Sequence, residues 1–342
     1  MSDLSARAES EPRRRIRNPV PREGDGGFSQ TWYPICLSAD VGSGAVLRRD
    51  FLDGQVVVVR GASGGASVMS AYCPHFGADL SLGAMVDGAL RCAFHHFEFG
   101  ADGRCLRTGS GDAVPRYADL FAFPTVERYG IVWAFNGERA AWELPGFAIA
   151  EEGLVLRHYP VMTLPCDPWM VIANTADFQH FRFLHDFEID FESVGQSFRW
   201  HPNGLSMELP AVLPGRHVAG SVVYRITHVG TNLTTVDATI DGQNAYVMIG
   251  FGIPRPGETE IFTIVAAPSA GADGAAENAL SAGGVLDQVE AVFGLMGSED
   301  NPVLATAHVM PGAFTATDRH LIHFLQYVRT YPRAHPSQDF IQ

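Results

Sequence analysis

The sequence predicts an α+β protein in two parts, an all-β N-terminal domain and a larger domain built on an extended antiparallel sheet with a few helices. Three observations carry this. Short apolar runs punctuated by turn residues fill the chain from Phe28 to Phe135, strand-type alternation returns from Ser197 to Ala267, and helical patterns lie before and after that second stretch. A chain of 342 residues, 46% of them hydrophobic, is also long enough to bury two modest cores.

Residues 1–27 are polar, rich in Arg, Pro and Gly, and aperiodic, and read as a flexible tail. Strands are then expected at Trp32 to Leu37, Val46 to Phe51, Gln55 to Arg60 after an Asp53-Gly54 turn, Val68 to Tyr72, and Phe97 to Phe99 before Asp102-Gly103. Val126 to Phe135 reads as the last strand of a first domain spanning 28–150. The second domain, 151–342, opens with Leu154 to Thr163 and a helix from about Pro168 to His185. Its sheet is predicted from Gly220 to His228, Leu233 to Ile240 and Ala245 to Ile253. Ala270 to Gly284, dense in Ala, Gly and Ser, reads as a flexible insertion, and helices near Leu286 to Met296 and Thr317 to Arg329 finish the fold.

Composition narrows the function. The net charge of -14 disfavours nucleic acid as a partner, because a polyanion is repelled except at a local basic patch; every basic residue here is arginine. No run approaches twenty uninterrupted apolar residues and no apolar core follows Arg13-Arg14-Arg15, so neither a membrane span nor a signal peptide is expected. Cys36, Cys105 and Cys166 are scattered singly, as in a reducing, cytoplasmic setting.

Two cysteine/histidine pairs are the strongest chemical signal. Cys73-Pro-His75 and Cys92-Ala-Phe-His95 are separated by sixteen residues, so each pair can occupy its own tight loop and supply one thiolate and one imidazole. Gly77, Ala78 and Gly83 let the backbone close around a cluster and point N–H groups at its sulfurs. Two thiolates on one iron and two imidazoles on the other make a 2Fe-2S centre of raised potential. The competing reading is a Cys2His2 zinc site.

On these residues the chain resembles the Rieske proteins. Respiratory members carry two further cysteines joined as a disulfide, where this chain has Ala78 and Phe94, so the resemblance is to the ferredoxin and oxygenase branch. His96 stands where oxygenase loops often have glycine; it is either an alternative ligand or a solvated loop residue.

A second motif, Asn174-x-x-Asp177-x-x-His180-x4-His185, resembles the one that follows the cluster domain in Rieske non-haem iron oxygenases. That resemblance implies a helix-grip catalytic domain in which His180, His185 and a distant carboxylate hold mononuclear Fe(II). Five residues turn an ideal helix about 140° off one face, so the helix must kink, bulge or end near Phe183 for both rings to meet one metal. The expected third ligand is Asp318, since the family places its aspartate at the start of a late helix; Asp300 and Glu299 are the rivals, and Asp186 is worse placed. An acid there would also suit the helix dipole without any metal. His320 and His323 read as ordinary helix residues.

The resemblance further implies that Asp177 bridges His180 or His185 to His75 or His95 of a neighbouring subunit, in a head-to-tail homotrimer. It implies a terminal oxygenase that uses dioxygen and two electrons from a ferredoxin or NAD(P)H-dependent reductase to hydroxylate or demethylate a hydrophobic substrate, steroid-like or aromatic. The details are most similar to the ketosteroid hydroxylases and cholesterol desaturases. No dinucleotide-binding glycine motif is present, so the reductase is a separate protein. Phe178, Phe181, Phe183, Phe187, Met248 and Phe251 are the candidate pocket residues, each equally at home in a core. The alternatives are a stand-alone electron carrier and a non-catalytic lipid-binding protein that retains a cluster.

Overall fold

The computed structural model describes residues 19–214, 219–240, 242–269, 275–308 and 313–335. The N-terminal half is all β. Its strands form a four-stranded sheet (46–51, 54–60, 66–70 and 122–123), a three-stranded sheet (32–37, 125–128 and 131–135) and a four-stranded sheet of short strands, 84–86, 89–91, 98–99 and 105–107. The cysteine/histidine loops flank this last sheet.

Among the described residues of the second half, one antiparallel sheet of eight strands is crossed by five helices: α1 Pro168–Ala176, α2 Gln179–Phe183, α3 Phe191–Ser197, α4 Ala275–Leu304 and α5 Arg319–Thr330. Long alternating strands such as Leu233–Ile240 and Gln243–Arg255 pair in unbroken register through most of their length. Period-two alternation then separates two cores. Val247, Phe251, Ile261 and Val265 face α1, α2, α4 and α5, whereas Tyr246, Met248, Phe262 and Ile264 pack against Trp32, Ile131, Trp133 and Phe135 of the N-terminal half. A Cβ on Gly250 would lie 2.5 Å from the Trp133 ring, so that contact requires glycine. Residues 28–29 pair with 333–334, and Glu23 is buried, its carboxylate accepting from Ser29 N and Oγ.

Several expectations are corrected. Val126 to Phe135 is a hairpin, not one strand: Tyr129 and Gly130 both take positive φ (53° and 69°), the geometry of a tight hairpin turn. The expected helix from Pro168 to His185 is two helices broken at Asp177 and Phe178. Of the expected insertion, residues 270–274 lie outside the described residues, but from Ala275 onward the chain is the first part of α4, whose alanines are strong helix formers. Residues 1–18 of the expected tail lie outside the described residues, while 19–27 dock through Glu23.

Candidate metal centres and active site

The two cysteine/histidine loops are built alike. Cys73 N donates to Ala78 O at 2.9 Å and Gly77 N to Cys73 O at 2.8 Å; Cys92 N donates to Phe97 O at 2.8 Å and His96 N to Cys92 O at 3.1 Å. The fifth residue of each loop is left-handed, Gly77 at φ 73° and His96 at φ 55°. His96 thus holds the turn position of Gly77 and is solvent-exposed. Gly83 and Gly109 let backbones close on the loops: a Cβ on either would lie 2.2 Å from a carbonyl oxygen, Arg91 O or His95 O.

Cys73 and Cys92 are buried, and His75 and His95 are exposed with ring centroids 4.6 Å apart. Burial pushes the Cys73 thiol up to about 11, against the N–H groups of His75 and Phe76, which point at its sulfur and favour the thiolate; the Cys92 thiol is its immediate neighbour. A bound cation would therefore be needed to draw out the thiolate at neutral pH. Among the described residues the one set of three donor atoms that all lie within 4.8 Å of one another is elsewhere, at His180, His185 and Asp300. The thiols and imidazoles thus form two separate pairs, not one compact set around a single ion. A tetrahedral zinc needs its donors within about 4 Å of each other, whereas a two-iron cluster needs this split. The residues present fit a Rieske-type cluster.

The second centre forms where α1 ends. Pro168 at the first helical position starts α1, and at Asp177 the backbone leaves helical geometry (φ -86°, ψ 68°). The helix end required by the motif spacing falls at Phe183, and Asp186 at φ 57° turns the chain back. The rings of His180 and His185 consequently meet, with centroids 5.1 Å apart.

The acid brought to them is Asp300, from the last turns of α4. His185 Nε2 lies 3.3 Å from Asp300 Oδ1, both atoms buried. Glu299, the preceding residue, takes the other edge of the same ring, with Oε2 2.7 Å from His185 Nδ1. Consecutive helical residues diverge by about 100°, which lets one helix clasp both edges of an imidazole. His180 Nδ1 is 2.7 Å from the Asp177 carbonyl, which leaves its Nε2 for a metal. Burial lowers the pKa of His180, favouring the neutral ring that ligation needs. Burial also opposes the charge on His185, but the Asp300 and Glu299 carboxylates more than offset this and raise it.

Asp318 is not in this group. Its Oδ2 accepts from Thr315 N at 2.5 Å and Thr315 Oγ1 at 2.9 Å, and its Oδ1 from Gln179 Nε2 at 2.6 Å. It closes the turn that leads into α5, a helix-start role, and the carboxylate that stands beside the two imidazoles is that of Asp300. The Asp177 carboxylate does not reach either imidazole: within the chain the contact to His180 runs through the main-chain carbonyl, and Asp177 Oδ1 is buried without a partner. Its pKa is raised, by burial first and then by the charge of Asp318.

A cavity of about 580 Å³ opens from His180 and Asp300 between α1, α2, α4 and the sheet. Phe181 and Phe251 line it as expected. Met248 cannot share a sheet face with Phe251 three residues on, and it packs on the N-terminal half; Phe183 is exposed, and Phe178 and Phe187 are core. Sequence reasoning missed the positioning contact of Glu299 and the cavity tyrosines Tyr159 and Tyr224. The adjacency of Glu299 and Asp300 near a helix was the one signal available for the first. His320 and His323 stack on Phe198 and Trp200, structural roles as expected.

Residues 31–118 match the Rieske [2Fe-2S] domain family. The chain is 31% identical over 174 residues to the oxygenase component of chloroacetanilide N-alkylformylase from Rhizorhabdus wittichii, a stretch covering 49% of each protein. It is 30% identical over 143 residues to cholesterol 7-desaturase nvd of Bombyx mori, covering 41% of this chain and 30% of that one. The chain spans about half, or less, of the length of these curated relatives. Among solved structures, Pseudomonas putida CBB5 NdmA with caffeine superposes with a TM-score of 0.67 at 18% identity, over 88% of this chain and 90% of that one. Dicamba monooxygenase bound to dicamba superposes with a TM-score of 0.64 at 17% identity, over 89% and 98%. At such identities the likeness establishes the fold.

Proposed function

From a chain whose residues 31–118 are a Rieske domain and whose fold is that of the solved Rieske oxygenases, we propose a terminal oxygenase component that hydroxylates or demethylates a hydrophobic small molecule. The observation that carries this reading is the convergence of His180, His185 and Asp300, a two-histidine, one-carboxylate set, at the mouth of an apolar cavity in the same chain as a paired cysteine/histidine site. Neither an electron carrier nor a lipid-binding protein needs that second set.

Cys73, His75, Cys92 and His95 would hold the cluster, and His180, His185 and Asp300 the mononuclear iron. When bound, the iron supplies dioxygen activation and the cluster supplies electrons, one at a time. The chain does the rest. Glu299 fixes the ring of His185 and the Asp177 carbonyl fixes that of His180, so that both present Nε2 to one point. The cavity walls orient the substrate and keep water from the oxidant.

The electrons would come from a ferredoxin or an NAD(P)H-dependent reductase. Exposed Phe76 and Phe94 beside His75 and His95 support docking at that tip, whether by a redox partner or by the next subunit of a head-to-tail trimer. In such a ring Asp177 would link a cluster histidine of the neighbour to the mononuclear site, and its unpartnered buried Oδ1 supports that role. The division into a cluster domain, 28–150, and a catalytic domain, 151–342, follows the same reading. No helix among the described residues is long and apolar enough to cross a membrane, and the free cysteines support a cytoplasmic setting.

Iron and acid-labile sulfide analysis with EPR of the dithionite-reduced protein tests the proposal. About three irons and two sulfides per chain with a Rieske signal are expected; two irons would leave a carrier, and zinc without the signal would overturn it. Glu299→Ala is expected to weaken iron binding at the mononuclear site by about 10–100-fold, read by chelator competition, with the Rieske signal unchanged.

A further inference from the structure

The cavity beside His180 and Asp300 has walls that are mostly apolar by area, and its charged groups and unpartnered hydroxyls discriminate between classes of substrate. Among the described residues no arginine lines it, and the one histidine is His180. Of its two carboxylates, Asp300 belongs to the metal-ligand group, and Glu290 is already paired, with Oε2 2.7 Å from Arg157 Nη1. A carboxylate substrate would be buried there without a counter-charge, and an ammonium substrate would have to compete with Arg157 for Glu290; both are costly.

Two hydroxyls in the wall have no partner. Tyr224 is 2% exposed, with its OH buried and unbonded, and the buried OH of Tyr159 is in the same condition. A buried O–H left unpaired is destabilising, and a ligand that accepts from it recovers that loss. Both lie toward the N-terminal side of the cavity stretch of α4. The Tyr224 ring packs on Phe293, 6.0 Å between centroids, and Tyr159 lies near Glu290. Phe293 precedes Asp300 by seven residues, about 10 Å along a helix.

We propose that the substrate is an uncharged, largely apolar molecule with an acceptor oxygen, carbonyl or hydroxyl, of the order of 10 Å from the atom that is oxidised. Tyr224 donates to that oxygen, with Tyr159 as a second donor at the same end, while the wall offers no cation to a carboxylate and only an already paired or metal-group carboxylate to an amine. This rests on the oxygenase reading for the atom attacked, but not for the binding step.

Binding is therefore the test. Iron-replete, oxidised protein is titrated by calorimetry with progesterone, an uncharged diketone, with etienic acid, a carboxylate on a closely related ring system, and with the matching amine. Progesterone is expected to bind at least tenfold more tightly than either ion, and Tyr224→Phe, which keeps the ring and removes only the donor, to weaken it about tenfold without affecting either metal. Equal or tighter binding of the carboxylate or amine, an unchanged affinity in Tyr224→Phe, or no saturable binding of progesterone overturns the proposal. Metal analysis on the same preparations separates the outcomes, because a missing mononuclear iron sinks the oxygenase reading while leaving the binding comparison intact.

Discussion

Asp300→Ala is expected to lose about one iron per chain and to reduce turnover to background, while the Rieske EPR signal and two sulfides per chain persist. Asp300 supplies the only carboxylate in the three-donor group, and its removal leaves two neutral imidazoles, a poor site for a hard divalent ion. Asp318→Ala is the matched control. It is expected to retain about three irons and to melt earlier, since it removes the acceptor for Thr315 and Gln179, a helix-entry cap worth about 1 kcal/mol. Iron loss in Asp318→Ala with retention in Asp300→Ala would reverse the assignment. The contrast is sharp because both acids are largely buried and close to the motif helices, yet Asp300 stands beside the two imidazoles while Asp318 is held by Thr315 and Gln179.

Asp177→Asn is expected to lower turnover by about 10²-fold or more with both metal centres intact. The substitution preserves size and, above all, the main-chain carbonyl that holds His180 Nδ1, so the mononuclear site keeps its geometry. Only the carboxylate changes, the group whose buried Oδ1 has no partner among the described residues. If that carboxylate links the neighbour's cluster to the iron, a pre-reduced preparation of the variant will hold its electrons and fail to oxidise substrate in a single turnover. Wild-type rates in that assay would remove Asp177 from the electron path and leave it only the backbone role.

Much of the fold was legible in the chain because its signals are local. Trp32 to Leu37 and Leu233 to Ile240 alternate between the two faces of a strand, and the structure forms both at those bounds. The hairpin at Tyr129-Gly130 was not legible, since its turn lacks the Asn-Gly or Asp-Gly pair that marks most such turns and apolar residues continue on both sides. Ala275 to Gly284 misled for a related reason: a small-residue composition suits a linker and a helix equally, and here the chain takes the helix.

For the sites, the sequence by itself determined the two cysteine/histidine pairs and the two histidines of the second centre, because each set lies within a single short segment whose spacing limits what its side chains can reach. It also required a helix end near Phe183, from helical geometry alone. Which acid lies beside the two imidazoles is visible only in the tertiary structure. Asp300 lies 115 residues after His185, at a separation where sequence carries no distance information, and α4 must cross the sheet before Glu299 and Asp300 can clasp the two edges of one imidazole. The walls of the cavity were decided in the same way: Phe251 reaches it and Met248 does not, because a period of two sends residues three apart to opposite faces of one strand.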